Sequence, residues 1–206
     1  MSVSPLERFA VAVLERIGTL LWGFPPRLMA PIVQELGPLR ALWWFGRHLS
    51  RYELTLRRFG KVRTHLICVA ISLVNGCRYC AHGHAYALQL AHLNDVGTLF
   101  PLDNQAIDRL RGLPAAHIRN TLVDALERTR LHAEVIPLDR TFALMAGVYP
   151  PIDHDDVQIA HLVAMFGMLN SVGVADQTPI DEAHDPLNRD PELKRSYAVL
   201  HAALSV

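Results

Sequence analysis

Apolar residues recur along this chain at the spacing of a helical face, and almost nowhere at the every-other-residue spacing of a half-buried strand. Glycine and proline punctuate the pattern. Taking those breaks as element ends, the spacing predicts a first helix over Leu6 to Trp22, closed by Gly23 and the Pro25-Pro26 pair. A short helix over Pro26 to Leu36 follows, then one over Leu39 to Phe59 that Gly46 could interrupt. Val62 to Val74 is strongly apolar and stops at Asn75-Gly76. The next helix spans Cys77 to Leu93. Beyond a loop at Gly97 to Leu102, helices are expected over Asp103 to Arg111, Pro114 to Ala133 and Pro137 to Met145. Asp153 is a plausible N-cap for a long apolar helix reaching Val172. Gln177 to Pro191 is rich in Asp and Pro and is expected to be an exposed loop, followed by a last helix over Pro191 to Leu204. The expectation is an all-α single domain of eight to ten helices over residues 1–206.

Composition narrows the setting. Of 206 residues, half are apolar, enough for a core without disulfide staples. Twenty basic and twenty acidic residues cancel, so nucleic-acid binding has no electrostatic support. No run of eighteen apolar residues suggests a membrane span. Phe9 to Leu21 is interrupted by Glu15 and Arg16 and is not expected to be a signal peptide. Three cysteines do not make a secreted disulfide framework and suit a reducing, cytoplasmic setting.

The candidate chemistry lies in Cys77-Arg78-Tyr79-Cys80-Ala81-His82-Gly83-His84, a C-x-x-C-x-x-x-H pattern. On a helix these three positions share one face. Helical residues three apart have Cα atoms roughly 5–6 Å apart, within the roughly 4.4–6.8 Å that a disulfide accepts. Cys77 falls in the first turn after the Asn75-Gly76 break, where free N–H groups favour a thiolate. Arg78 and His84 could add positive charge, and His84, four residues beyond Cys80, could take its proton. Zinc is the chemical competitor. However, Cys77 and His84 lie roughly 10 Å apart along the axis, while ligands of one zinc lie about 4 Å apart, and no second pair completes a set. The bland alternative is two packed cysteines beside a solvated histidine.

Val69 to Ala85, with its apolar helix, Asn-Gly stop and C-x-x-C-x-x-x-H, resembles the core of the alkylhydroperoxidase AhpD-like, or carboxymuconolactone decarboxylase-like, superfamily. The match covers about 25 residues. The resemblance implies an all-α fold whose helical hairpin carries the site. It implies a thiol-dependent peroxidase or dithiol oxidoreductase without metal or organic cofactor, assembled as a homo-oligomer. Its partners would be a peroxide and an external thiol or dithiol reductant. It casts Cys80 as the attacking sulfur, Cys77 as the resolving one and His84 as part of a proton relay. Two positions depart: Tyr79 stands between the cysteines where some members carry histidine, although related members also carry tyrosine, and the more important departure is on the preceding helix. The family has a glutamate twelve residues before the first cysteine, and this chain has His65. A histidine can pass a proton, but it cannot be an anionic partner for His84.

Other residues carry blander expectations. Cys68 is read as a buried small hydrophobe, and His82 as solvated or at a subunit contact. Trp43, Trp44 and Phe45 suit core packing or an interface better than a pocket. His161 and Asn170 suit ordinary buried hydrogen bonding. The basic stretch Arg47, Arg51, Arg57, Arg58 and Lys61 suits a solvated face. Two alternative functions remain beside the peroxidase. One is a decarboxylase-like enzyme for a small carboxylated substrate, and the other is a redox-sensing helical protein without turnover.

Overall fold

The computed structural model describes residues 4–204. Among these residues ten α-helices and two short 3-10 segments form, and no strand does. Their order is α1 (Pro5–Trp22), α2 (Met29–Leu36), α3 (Pro38–Phe59), α4 (Lys61–Val74), α5 (Arg78–Val96), α6 (Asn104–Leu110), α7 (Ala115–Arg128), α8 (Val135–Met145), α9 (His154–Ala175) and α10 (Pro191–Leu204). Starts are marked where the sequence offers side-chain acceptors. Ser4 and Glu7 close a capping box on α1, and Asp103 and Asp153 accept from N–H groups of the first turns of α6 and α9.

The hairpin of α4 and α5 is the centre of the molecule. Every residue from Thr64 to Leu73 is buried, and on α5 nearly every residue from Tyr79 to Leu93 is. Such helices need partners on all sides. One apolar core, with Leu14, Ile32, Ile71 and Phe166, joins the hairpin to α1, α2, α3 and α9. A second, with Leu73, Leu88, Ile107 and Leu122, joins its other side to α6, α7 and α8. Each fully buried Leu, Ile or Phe contributes about 1.5–3 kcal/mol, so the hairpin is held from both sides. The cysteine pair therefore sits on the most constrained part of the chain.

Three boundaries differ from the sequence pattern. Gly46 does not interrupt α3, which runs through it with open space beside it. The helix expected to reach Ala133 stops at Arg128, and the chain turns through Arg130 at φ 60 into a 3-10 turn at His132–Glu134. The third difference is the largest. The segment 177–190 is not an exposed loop, because Thr178, Ala183, His184, Asp185 and Asn188 are buried in it. Its polar residues are spent on the fold. Asp181 accepts from Tyr79 and from the Arg27 backbone, Asn188 donates to the Trp22 carbonyl, and the His184 N–H donates to the Gly83 carbonyl. The segment is a strap that ties α1 and α2 to the central hairpin.

By length and composition alone, α9 is the one helix among the described residues that could cross a membrane. In the fold it packs on α2, α3, α4, α5 and α8.

Candidate active site

Cys77 is the N-cap of α5 rather than its first helical residue, with extended backbone at φ −83 and ψ 105. Its thiol is held below the ordinary range. The first cause is a hydrogen bond from Cys80, which works against burial, and the N–H groups of Cys80 and Tyr79 add to it. The Cys80 thiol is pushed well up, first by that same hydrogen bond and then by burial. Cys80 thus donates toward the Cys77 sulfur, the more acidic of the pair. All three cysteines are free thiols. Room for the Cys77 sulfur comes from α9, where a Cβ on Gly173 would lie 2.9 Å from it.

A buried polar chain begins one turn further along α5. His84 Nδ1 lies 3.1 Å from His65 Nδ1 on α4. His65 Nε2 lies 3.0 Å from Asp185 Oδ2 on the strap. The other Asp185 oxygen accepts from Lys61 Nζ at 2.6 Å and from the Leu187 N–H at 2.8 Å. His65 and Asp185 have no exposed surface. Burial alone would raise Asp185, but the hydrogen bonds from His65 and Lys61 hold its carboxyl below the usual range. An ionised carboxylate only accepts, so His65 Nε2 donates to it. When His84 Nδ1 donates to His65 Nδ1, His84 Nε2 carries a free lone pair. Burial, with His184 and His65 nearby, holds His84 well below its ordinary value and so neutral.

Cys80 and His84 line one cavity with Tyr52, Phe166, Tyr79 and His184. The cavity is narrow, about 50 Å³, and the space including its open mouth is about 540 Å³. Cys77 does not line it. The more acidic sulfur and the more accessible one are therefore different residues. His184 lies against α5 where only glycine leaves room, since a Cβ on Gly83 would stand 2.4 Å from its Cε1. Its ring is 4.9 Å from that of Tyr79 and 5.2 Å from that of His84.

The structure thus links the four predicted residues in series, Cys77 to Cys80 by a hydrogen bond, Cys80 to His84 through a shared cavity, and His84 to His65. Arg78 does not join them, because it points outward to Asp108 at 2.9 Å. His82 is neither solvated nor free. It is 4 % exposed and bonds to Asp108 and Asn104. Cys68 is buried, and burial raises its thiol. Trp43 is exposed, while Trp44 and Phe45 line the cavity rather than serving only as packing. His161 does find a half-buried partner, His48, at 3.0 Å. Among the described residues no three His, Cys, Asp or Glu side chains converge as metal ligands do.

The pattern reading missed Asp185, His184, Lys61 and Tyr52. Asp185 and His184 lie in the stretch read as solvent-facing. The one available signal was Gly83, a glycine inside a buried helix, which marks a close approach by another part of the chain.

Comparison of the chain with protein-family models, curated proteins and solved structures finds no match. The chemistry must therefore be argued from the site. A hydrogen-bonded dithiol whose Cys80 shares a cavity with a neutral imidazole, itself linked through a second ring to a buried carboxylate, can carry out thiolate attack and two-electron thiol oxidation.

Proposed function

We propose that this chain is a dithiol peroxidase, or a closely related dithiol–disulfide oxidoreductase, of the AhpD-like type that its Cys77–His84 segment resembles. The observation that carries the reading is that Cys80 and His84 share a cavity while His84 is linked through His65 to the buried Asp185. The residue that departs from the family pattern, His65, is not an isolated substitution. It reaches a carboxylate that the strap supplies.

In the proposed cycle His84 Nε2 takes the Cys80 proton, and the Cys80 thiolate attacks the outer oxygen of a hydroperoxide. The O–O bond breaks, Cys80 becomes a sulfenic acid, and the departing alkoxide takes a proton to leave as an alcohol. The Cys77 thiolate then attacks the Cys80 sulfur, forming the disulfide and releasing the sulfenic oxygen as water once protonated. An external dithiol returns two electrons and two protons to the pair. The neighbouring-thiol geometry lets the second step proceed with little backbone movement. A reducing compartment such as the cytosol suits this cycle.

The test is peroxide consumption by the reduced protein with a dithiol donor. Thiol-dependent turnover is expected, absent in Cys80→Ser. Cys77→Ser should instead accumulate a sulfenic acid that dimedone traps. Wild-type protein that consumes no peroxide with a competent donor removes the peroxidase reading.

A further inference from the structure

Next to His48, which lines the cavity, stands a group of cationic and imidazole side chains that the cycle above does not use. His48 on α3 and His161 on α9 are stacked at 5.1 Å with an interplanar angle of 7°, and their Nδ1 and Nε2 atoms are 3.0 Å apart. Trp44 stacks on the other face of His48 at 4.4 Å. Arg51, one turn from His48 and half-buried, forms no ion pair among the described residues, and Arg47 touches only the Trp43 ring. The charges acting on both histidines are those of Arg47 and Arg51, and they add to burial in holding His161 down at about 4. His161 is 5 % exposed, and its Nδ1 has no hydrogen-bond partner among the described residues.

A concentration of positive charge without a counter-ion, around an unsatisfied buried nitrogen, is an unfavourable arrangement in an isolated fold. It becomes favourable when an anion is bound there. The anion would arrive with an apolar body, because the cavity that His48 and Cys80 both line is otherwise mostly apolar, with Trp44, Phe45, Leu49, Met165 and Phe166 among its walls. Met165 is the adaptable member of those walls.

We propose that the Arg51, His48 and His161 group adjoining the cavity is a carboxylate-binding subsite, and that the cavity takes the apolar body of an amphipathic carboxylate that reaches Cys80. This deepens the peroxidase reading and rests on it for the reacting group, making the preferred oxidant an apolar hydroperoxide that also bears a carboxylate. The binding part stands without turnover.

Octanoate and 1-octanol have the same apolar body and differ in the head group, so they serve as probes. Calorimetric titration should show octanoate binding at least tenfold more tightly than 1-octanol, with the difference shrinking as salt is raised. Arg51→Gln should weaken octanoate about tenfold and leave 1-octanol unchanged. Bound octanoate should slow alkylation of Cys80 in Cys68→Ala/Cys77→Ala protein. Equal binding of the two probes, or an Arg51→Gln variant that binds octanoate as wild type does, overturns the subsite. If octanoate binds as expected but the reduced protein consumes no peroxide, the subsite stands and the peroxidase reading falls.

Discussion

His65 Nε2 and Asp185 Oδ2 meet at 3.0 Å across 120 residues of sequence, and neither side chain has exposed surface. A buried carboxylate must be paired to remain charged. Here it is paired twice, by His65 on one oxygen and Lys61 on the other. Helix α4 contributes the imidazole, and the strap brings the negative charge from the far end of the chain.

This pairing predicts a conditional exchange. His65→Glu alone sets a second carboxylate against Asp185 and should cost about 3 kcal/mol, the scale of breaking a buried ion pair. Adding Asp185→Asn removes the repulsion and should recover most of that loss. Urea denaturation of the three variants checks it. A His65→Glu protein no less stable than the double variant contradicts the arrangement.

Gly83→Ala places a Cβ about where the His184 ring already is. Overpacking of this kind costs about 1–3 kcal/mol, and the strap should loosen first, seen as faster amide exchange over 177–190. His184→Ala in the same protein should restore both stability and protection. Unchanged exchange in Gly83→Ala would falsify the close approach of strap and helix.

Much of this was open to reading in the sequence, and the limit has a physical cause. Glycine and proline breaks locate α1, α4, α9 and α10 within a few residues, because those helices begin and end through local chemistry such as the Asp153 cap. The dithiol helix is equally local. The strap is not. Asp181, His184, Asp185 and Asn188 are polar residues satisfied by partners on α1, the α1–α2 connection, α4 and α5, and a polar run satisfied internally looks the same in sequence as one satisfied by water. Tyr52, likewise, reaches the cavity only through the packing of α3 on the hairpin.

The hydrogen bond within the dithiol has a spectroscopic consequence. Cys80 hydrogen-bonds to the Cys77 sulfur and lowers its pKa. Cys80→Ala removes that donor, so the Cys77 thiolate should appear at higher pH than in wild type. Thiolate absorbance near 240 nm, followed through a pH titration of Cys68→Ala backgrounds, reads this directly. An unmoved titration would show that the helix N–H groups alone hold Cys77 low.

Acid should destabilise the fold through its buried histidines. His161 is depressed to about 4, and His184 to about 3, against about 6.5 in an unfolded chain. The unfolded chain therefore binds more protons between those values, and stability falls as pH drops from about 6.5 towards 4 and below. Asp185 acts in the same direction at lower pH, since its depressed carboxyl loses its contribution only on protonation. Urea midpoints should decline from pH 7 to pH 4, and His161→Leu should flatten that decline. An equal slope in wild type and variant would remove His161 from the acid response.

The relay is tested most directly by stopped-flow oxidation of the reduced dithiol by a hydroperoxide, comparing wild type with Asp185→Asn. The isosteric change keeps the shape of the site and removes the charge that orients His65 and, through it, His84. The account predicts that wild-type protein oxidises to the Cys77–Cys80 disulfide, and that Asp185→Asn does so roughly 10²-fold more slowly, the scale of a lost acid–base contribution. The loss should hold at every pH at which both proteins remain folded. Oxidation at the same rate in both would contradict the claim that Asp185, through His65 and His84, serves the thiol chemistry.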